Sequence, residues 1–346
     1  MRQWWRAALG AALLVAGGCA FDRTGPPPAA EVGTGAIARD RPGWYERPID
    51  VDGTRRWYRL YRPSAIADEP PLVIMLHGGS RSMRDSFGPR AGGPAAWLDV
   101  ARDTGFLLAV PNGTNPKTGD TRGDNQFWND PRPATDEAPS SRADDIAFID
   151  ALVERLLARY PVDPARVYVT GASNGGMMTY TLLMERPRRF AAGAAFIANL
   201  PQSERHMQAP AEPTPLLIAN GTEDRLMKWE GGELIGGRGR MRSAEATVAW
   251  WVTANGARRD AASSRLLPDR DPDDDCRLRE IRYPAGDGGA PVWFLRMEGG
   301  GHTVPTPTRE LPNNLVAWRL FGNVCRDAEG ARLAWDFLRR FRRPAD

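Results

Sequence analysis

The sequence predicts an α/β fold with one mostly parallel central sheet flanked by helices. From about Trp44 onward, apolar runs alternate with helix-patterned segments, with no repeat and no second linker. Several runs, such as Leu72-Val-Ile-Met-Leu76, are continuously apolar, as strands buried on both faces of a parallel sheet are. Gly171-Ala-Ser-Asn-Gly175 follows one such run and precedes a helical stretch, the setting of a sharp strand-to-helix turn.

The elements follow in order. Arg2 and Arg6 precede the apolar run 7–16, which leads into Gly17-Gly18-Cys19. This is the layout of a signal peptide over 1–19, and its apolar run is far short of the roughly 20 residues that span a bilayer. Cys19 after two small residues resembles a bacterial lipobox, although Ala16 stands where Leu is usual. Lipidation of Cys19 is the preferred reading, and a plain cleaved leader is the other. Residues 20–43 hold Gly25-Pro-Pro-Pro28 and read as a tether. A single domain then occupies 44–346. Strands are expected at 56–61, 72–76, 106–110, 166–170, 191–197, 215–218, 278–283 and 292–297 from their apolar, strand-length runs. The clearest helix is 144–160, where Ile146, Phe148, Ile149, Leu152, Leu156 and Leu157 recur at helical spacing. Others are expected at 95–104, 177–185, 244–254 and 328–341.

Composition narrows the function classes. The chain has 346 residues and is 42% hydrophobic, enough for a sizeable core. Its formal charge is +3, of which Arg2 and Arg6 in the leader supply part, so no basic field is left to attract nucleic acid. The only membrane contact expected is a lipid anchor at Cys19. In an exported protein the remaining pair, Cys276 and Cys325, is expected to form a disulfide. The acidic stretch 269–275 lacks the Gly and terminal Glu of a calcium loop and reads as solvated, while Asp144 and Asp145 read as charges favouring a helix N-terminus. No metal site and no cofactor are implied.

The glycines of 171–175 make chemical sense if Ser173 is held in a strained turn with its hydroxyl projecting beside a helix start. A serine hydroxyl is a poor nucleophile at neutral pH and needs a base oriented by a carboxylate. The chain has 3 histidines: His77, His206 and His302. His302 follows a late strand in Gly299-Gly-Gly-His302 and is the expected base; His206 lies in a polar stretch with no role expected. The orienting acid should lie between Ser173 and His302, at a strand end. Asp224 after Asn220-Gly-Thr222 fits, with the adjacent Glu223 competing. Two backbone N–H groups should receive the oxyanion, one from Asn174 and one from the loop His77-Gly-Gly-Ser80. Gly79 is the preferred second donor, with Gly78 and Ser80 as alternatives. His77 and Trp128 are candidates for the substrate pocket, against a loop-shaping role for His77 and core packing for Trp128.

The motifs His77-Gly-Gly, Gly171-Ala-Ser-Asn-Gly-Gly-Met-Met178, Asn220-Gly-Thr-Glu-Asp224 and Gly299-Gly-Gly-His-Thr303 resemble the polyhydroxybutyrate depolymerase and feruloyl/acetylxylan esterase group, close to carbohydrate esterase family 1. The resemblance covers about Trp44 to the C-terminus. It implies an α/β-hydrolase fold, export, and Ser173, Asp224 and His302 as a triad. Two features depart from that pattern: Val304-Pro-Thr306 follows where Trp-Pro-Gly is common, and the cysteines usual near Trp128 are absent. The expected activity is therefore an exported serine esterase, periplasmic, cell-surface or secreted. Its expected substrate is a soluble polyester oligomer or an acylated polysaccharide. An acyltransferase or peptidase on the same scaffold is the alternative, followed by a non-catalytic binding lipoprotein.

Overall fold

The computed structural model describes residues 40–88, 91–130, 132, 141–202, 207–235, 237–307 and 319–344. The leader with Cys19, most of the tether, and His206 lie outside the described residues. In chain order, a hairpin of β1 (Gly43–Val51) and β2 (Thr54–Arg62) leads to β3 (Leu72–Leu76), α1 (Ala96–Thr104), β4 (Leu107–Pro111) and α2 (Asp145–Arg159). Then come β5 (Val167–Ala172), α3 (Asn174–Glu185), β6 (Ala192–Phe196) and β7 (Leu216–Gly221). A small hairpin of β8 (Gly232–Glu233) and β9 (Arg240–Met241) precedes α4 (Ala244–Ala254), β10 (Ser263–Leu266), β11 (Arg277–Tyr283), β12 (Val292–Glu298) and α5 (Gly330–Leu338).

Among the described residues the main sheet is 10-stranded, in the order β1-β2-β4-β3-β5-β6-β7-β12-β11-β10. Pairing is parallel from β4 through β12 and antiparallel at both margins. The continuously apolar β3 shows why. Leu72, Ile74 and Leu76 face one core with α2, α3 and α4, while Val73 and Met75 face a second core with α1 and α5. A strand with period two and helices on both faces has no solvent side to make polar.

Several expectations are corrected. The tether was expected to run to 43, yet Asp40 already docks on the domain, pairing with Arg47 at 2.7 Å and accepting from the Tyr160 hydroxyl. Helix α3 starts at Asn174, immediately after the turn, rather than at 177. Asp144 does cap α2, accepting from the Ala147 N–H at 2.9 Å, but Asp145 is no surface charge. It is buried, accepts from Arg56 at 2.5 Å and from the Asn129 N–H at 2.7 Å, and so ties the loop after β4 to α2. Burial pushes the Asp145 carboxyl up, against the opposing pull of Arg56.

The acidic stretch is also more than solvated. Asp274 accepts from the N–H groups of Cys276 at 2.7 Å and Arg326 at 2.6 Å, clasping the segment that enters β11 to the one before α5. Cys276 and Cys325 join the same two segments in a disulfide, with Cα atoms 5.2 Å apart.

Candidate active site

Local sterics build the turn after β5. A Cβ on Gly171 would lie 2.3 Å from the Gly175 carbonyl oxygen, and one on Gly175 would lie 2.3 Å from that of Leu76. No side chain fits at either position, so β5, α3 and the exit of β3 approach as closely as backbone allows. Between them Ser173 takes φ 56° and ψ −121°, a conformation that a non-glycine residue adopts only under constraint. Its N–H donates to the Phe196 carbonyl at 2.9 Å, which anchors the turn to β6.

Asp224 and His302 arise beyond the carboxyl ends of β7 and β12, on the same edge of the sheet as Ser173. Their loops interlock: the Glu223 N–H donates to the Gly300 carbonyl at 2.9 Å, and Gly221 has room for no side chain beside it. Asp224 is buried. Its Oδ1 accepts from the N–H groups of Leu226 and Met227 at 2.8 and 2.7 Å, and its Oδ2 lies 2.7 Å from His302 Nδ1. Glu223, the competing choice from sequence, is exposed. Nδ1–H donates to the carboxylate, so Nε2 is left as the basic nitrogen of His302. The His302 loop rests on the disulfide: a Cβ on Gly300 would meet the Cys325 sulfur at 2.9 Å.

The loop after β3 lies against the start of α3. A Cβ on Gly79 would point at Phe127, 2.9 Å from its ring, and at Asn174 Cβ, 3.4 Å away. Among the described residues, the backbone N–H groups of Gly79 and Asn174 have no acceptor, whereas that of Ser80 donates to the Gln126 carbonyl at 3.0 Å. Ser80 is therefore committed elsewhere, and Gly79 and Asn174 keep free donors.

His77 and Trp128, expected at the pocket, offer a substrate no surface: they are 1% and 0% exposed. Trp128 Nε1 donates to the His77 carbonyl at 2.8 Å. His77 Nε2 accepts from the Gly113 N–H at 3.0 Å, so Nδ1 carries the proton and donates to the Gly78 carbonyl at 2.8 Å. Burial pulls the His77 pKa down to about 4, keeping the ring neutral. Both residues hold the loop that presents Gly79.

Sequence reasoning missed the other half of that support. The Asn174 side chain accepts from the Trp128 N–H at 2.8 Å and donates to the Asp130 carboxylate at 2.5 Å, and Asp130 in turn pairs with Arg132 at 2.6 Å. The only signal for it was the Gln126-Phe-Trp-Asn129 string, which pointed to Trp128 and not to Asp130. Among the described residues, no cluster of His, Cys, Asp and Glu could hold a metal ion.

A model of the Prolyl oligopeptidase family matches residues 137–201, the segment carrying α2, β5, the turn, α3 and β6. The chain is 30% identical to "Putative esterase NocK" of Nocardia uniformis subsp. tsuyamanensis over 84% of its own length and 81% of that protein. It is 25% identical to feruloyl esterase B of Piromyces equi over 79% of its own length, but spans only 42% of that longer protein. Among solved structures, the acetyl xylan esterase from Aspergillus awamori superposes with a TM-score of 0.50 at 16% identity, over 75% of this chain and 95% of that one, a likeness of fold. The chain thus belongs to the α/β-hydrolase esterase group that its motifs resemble, enzymes acting on carboxylic ester bonds.

Proposed function

We propose that the chain is an exported serine esterase working through an acyl-enzyme. Ser173 attacks the ester carbonyl while His302 Nε2 takes the hydroxyl proton and then delivers it to the leaving alcohol. Asp224 fixes the imidazole tautomer and stabilises the cation that forms. Water repeats the sequence on the acyl-serine, releasing the acid and restoring Ser173. The N–H groups of Gly79 and Asn174 receive the oxyanion, and in comparable sites one such donor contributes about 10²–10³ in rate.

The observation that carries this reading is the Asp224–His302 pair. The carboxylate has one oxygen spent on backbone amides and the other on Nδ1 at 2.7 Å, which leaves only Nε2 to act as base. Substrates are polyester oligomers or acylated polysaccharides, in keeping with a relative named for feruloyl esters. Export rests on the leader, with Cys19 as the lipidated residue of a periplasmic or cell-surface protein, and mass spectrometry of the mature N-terminus tests it. Among the described residues no helix is long and apolar enough to cross a membrane.

The test of the chemistry is turnover of 4-nitrophenyl acetate, feruloyl esters and 3-hydroxybutyrate oligomers by parent and Ser173→Ala proteins. Loss of nearly all activity in the variant is expected; equal rates would refute the assignment. The Prolyl oligopeptidase match favours a second reading, a peptidase with the same acyl-enzyme. Comparing an anilide with the phenyl ester of the same acyl group separates the two.

A further inference from the structure

The β8–β9 hairpin comes from the loop after β7, and Phe127 from the loop after β4, with β3, β5 and β6 between them in the sheet. The hairpin closes through the Leu234 N–H on the Gly239 carbonyl at 3.0 Å, and near its tip Arg238 sets its guanidinium over the Phe127 ring, 5.4 Å from the centroid. The same Phe127 ring flanks Gly79, whose Cβ would lie 2.9 Å from it, so the contact lies beside the loop of the proposed second oxyanion donor.

The electrostatics around Arg238 are unbalanced. Its neighbours on the hairpin are engaged: Arg240 donates to the Gln202 side chain at 3.1 Å and Arg242 to the Pro201 carbonyl at 3.2 Å. Asp130 is consumed by Arg132 and Asn174. Among the described residues, the one charge acting on Arg238 is that of Arg132, which has the same sign; burial first and then this like charge pull the Arg238 pKa down. Among the described residues the Arg238 guanidinium, held on an aromatic face, has no acidic partner, and a cation so placed is arranged to receive an anion.

Resting on the serine esterase reading above, we propose that Arg238 is a specificity-determining residue that selects esters carrying a carboxylate near the scissile bond. A dicarboxylic hemi-ester and a short hydroxyacid oligomer with its free carboxyl end are both of this class. The carboxylate docks on the guanidinium beside Phe127 while the ester carbonyl lies between Ser173 and the Gly79 N–H.

The experiment uses the purified full chain and two matched pairs of probes. Mono-4-nitrophenyl glutarate against 4-nitrophenyl valerate places the charge on the acyl side, and 4-carboxyphenyl acetate against phenyl acetate places it on the alcohol side. In at least one pair the anionic-to-neutral ratio of kcat/KM should fall about five- to tenfold in Arg238→Gln, through KM, and drop further in Arg238→Glu. Arg238→Lys should retain part of the preference, and salt should erode it. Ratios unchanged by Arg238→Gln and Arg238→Glu in both pairs would overturn the proposal while leaving the esterase reading intact. A parent protein inert toward all the probes would overturn the esterase reading and this proposal with it.

Discussion

His77 gives a stability prediction with a definite sign. Its ring is buried and neutral, Nδ1–H donating to Gly78 and Nε2 accepting from the Gly113 N–H. Adding a proton at Nε2 would set donor against donor at the bond that holds the β4 loop to the exit of β3. The folded-state pKa of about 4 lies below the ordinary 6.5, so between these values the unfolded chain binds a proton that the native state refuses. Stability from this group is fully present above pH 6.5 and is lost as pH falls through about 4. With about 1.36 kcal/mol for each pH unit between the two values, the loss is roughly 3 kcal/mol. The measurement is urea unfolding of the parent and His77→Gln proteins, disulfide intact, at intervals from pH 7.5 to 4. Carboxylates titrate in both proteins and cancel in the difference, so the gap between parent and variant should narrow by roughly 3 kcal/mol on acidification. Parallel profiles would refute the idea that His77 is held neutral by the fold.

Replacing Asp224 with Asn turns an acceptor into a donor opposite His302 Nδ1 and forces the wrong tautomer, so kcat should drop by about 10⁴, while Glu223→Gln should change it little; the reverse pattern in ester assays would transfer the role to Glu223. The Cys276–Cys325 bridge closes 49 residues of chain, and its loss in a Cys276→Ser/Cys325→Ser protein should cost about 4 kcal/mol by the loop-entropy relation, read by urea unfolding. Because the His302 loop rests on that bridge, the double variant should also lose activity at temperatures where it is still folded; full activity there would show that the loop holds its shape alone.

What the sequence made legible follows from how local each requirement is. The turn at Ser173 needs glycine at 171 and 175 because carbonyl oxygens of the same turn and of β3 lie within 2.3 Å of any Cβ, a demand written directly as residue types. The core strands were legible because burial on both faces leaves no polar position. Strand β10, with Ser263-Ser-Arg-Leu266 exposed at the sheet edge, carries no such mark and was missed. Asp224 was preferred to the adjacent Glu223 for its place at a strand end, but adjacency carries no trace of the contacts that distinguish them, the Leu226 and Met227 amides and His302 Nδ1.

The least legible parts are pairings of ordinary residues far apart in the chain. Arg56 meets Asp145 across 89 positions, and Asn174 meets Asp130 across 44. Neither pair has a periodicity or a spacing rule that would betray it. The same is true of Arg238 on Phe127. This divides the molecule along a physical line. Ser173 sits where backbone geometry is extreme, at φ 56°, and extreme geometry restricts the residue types around it. The proposed substrate wall is made instead by the side chains of Phe127 and Arg238, from the loops after β4 and β7. Such a wall can change charge while the turn at Ser173 stays fixed, so a motif that identifies an ester hydrolase leaves open which ester it prefers. Under the proposed role of Arg238, its charge is the more direct guide to substrate than the Gly-Ala-Ser-Asn-Gly turn itself.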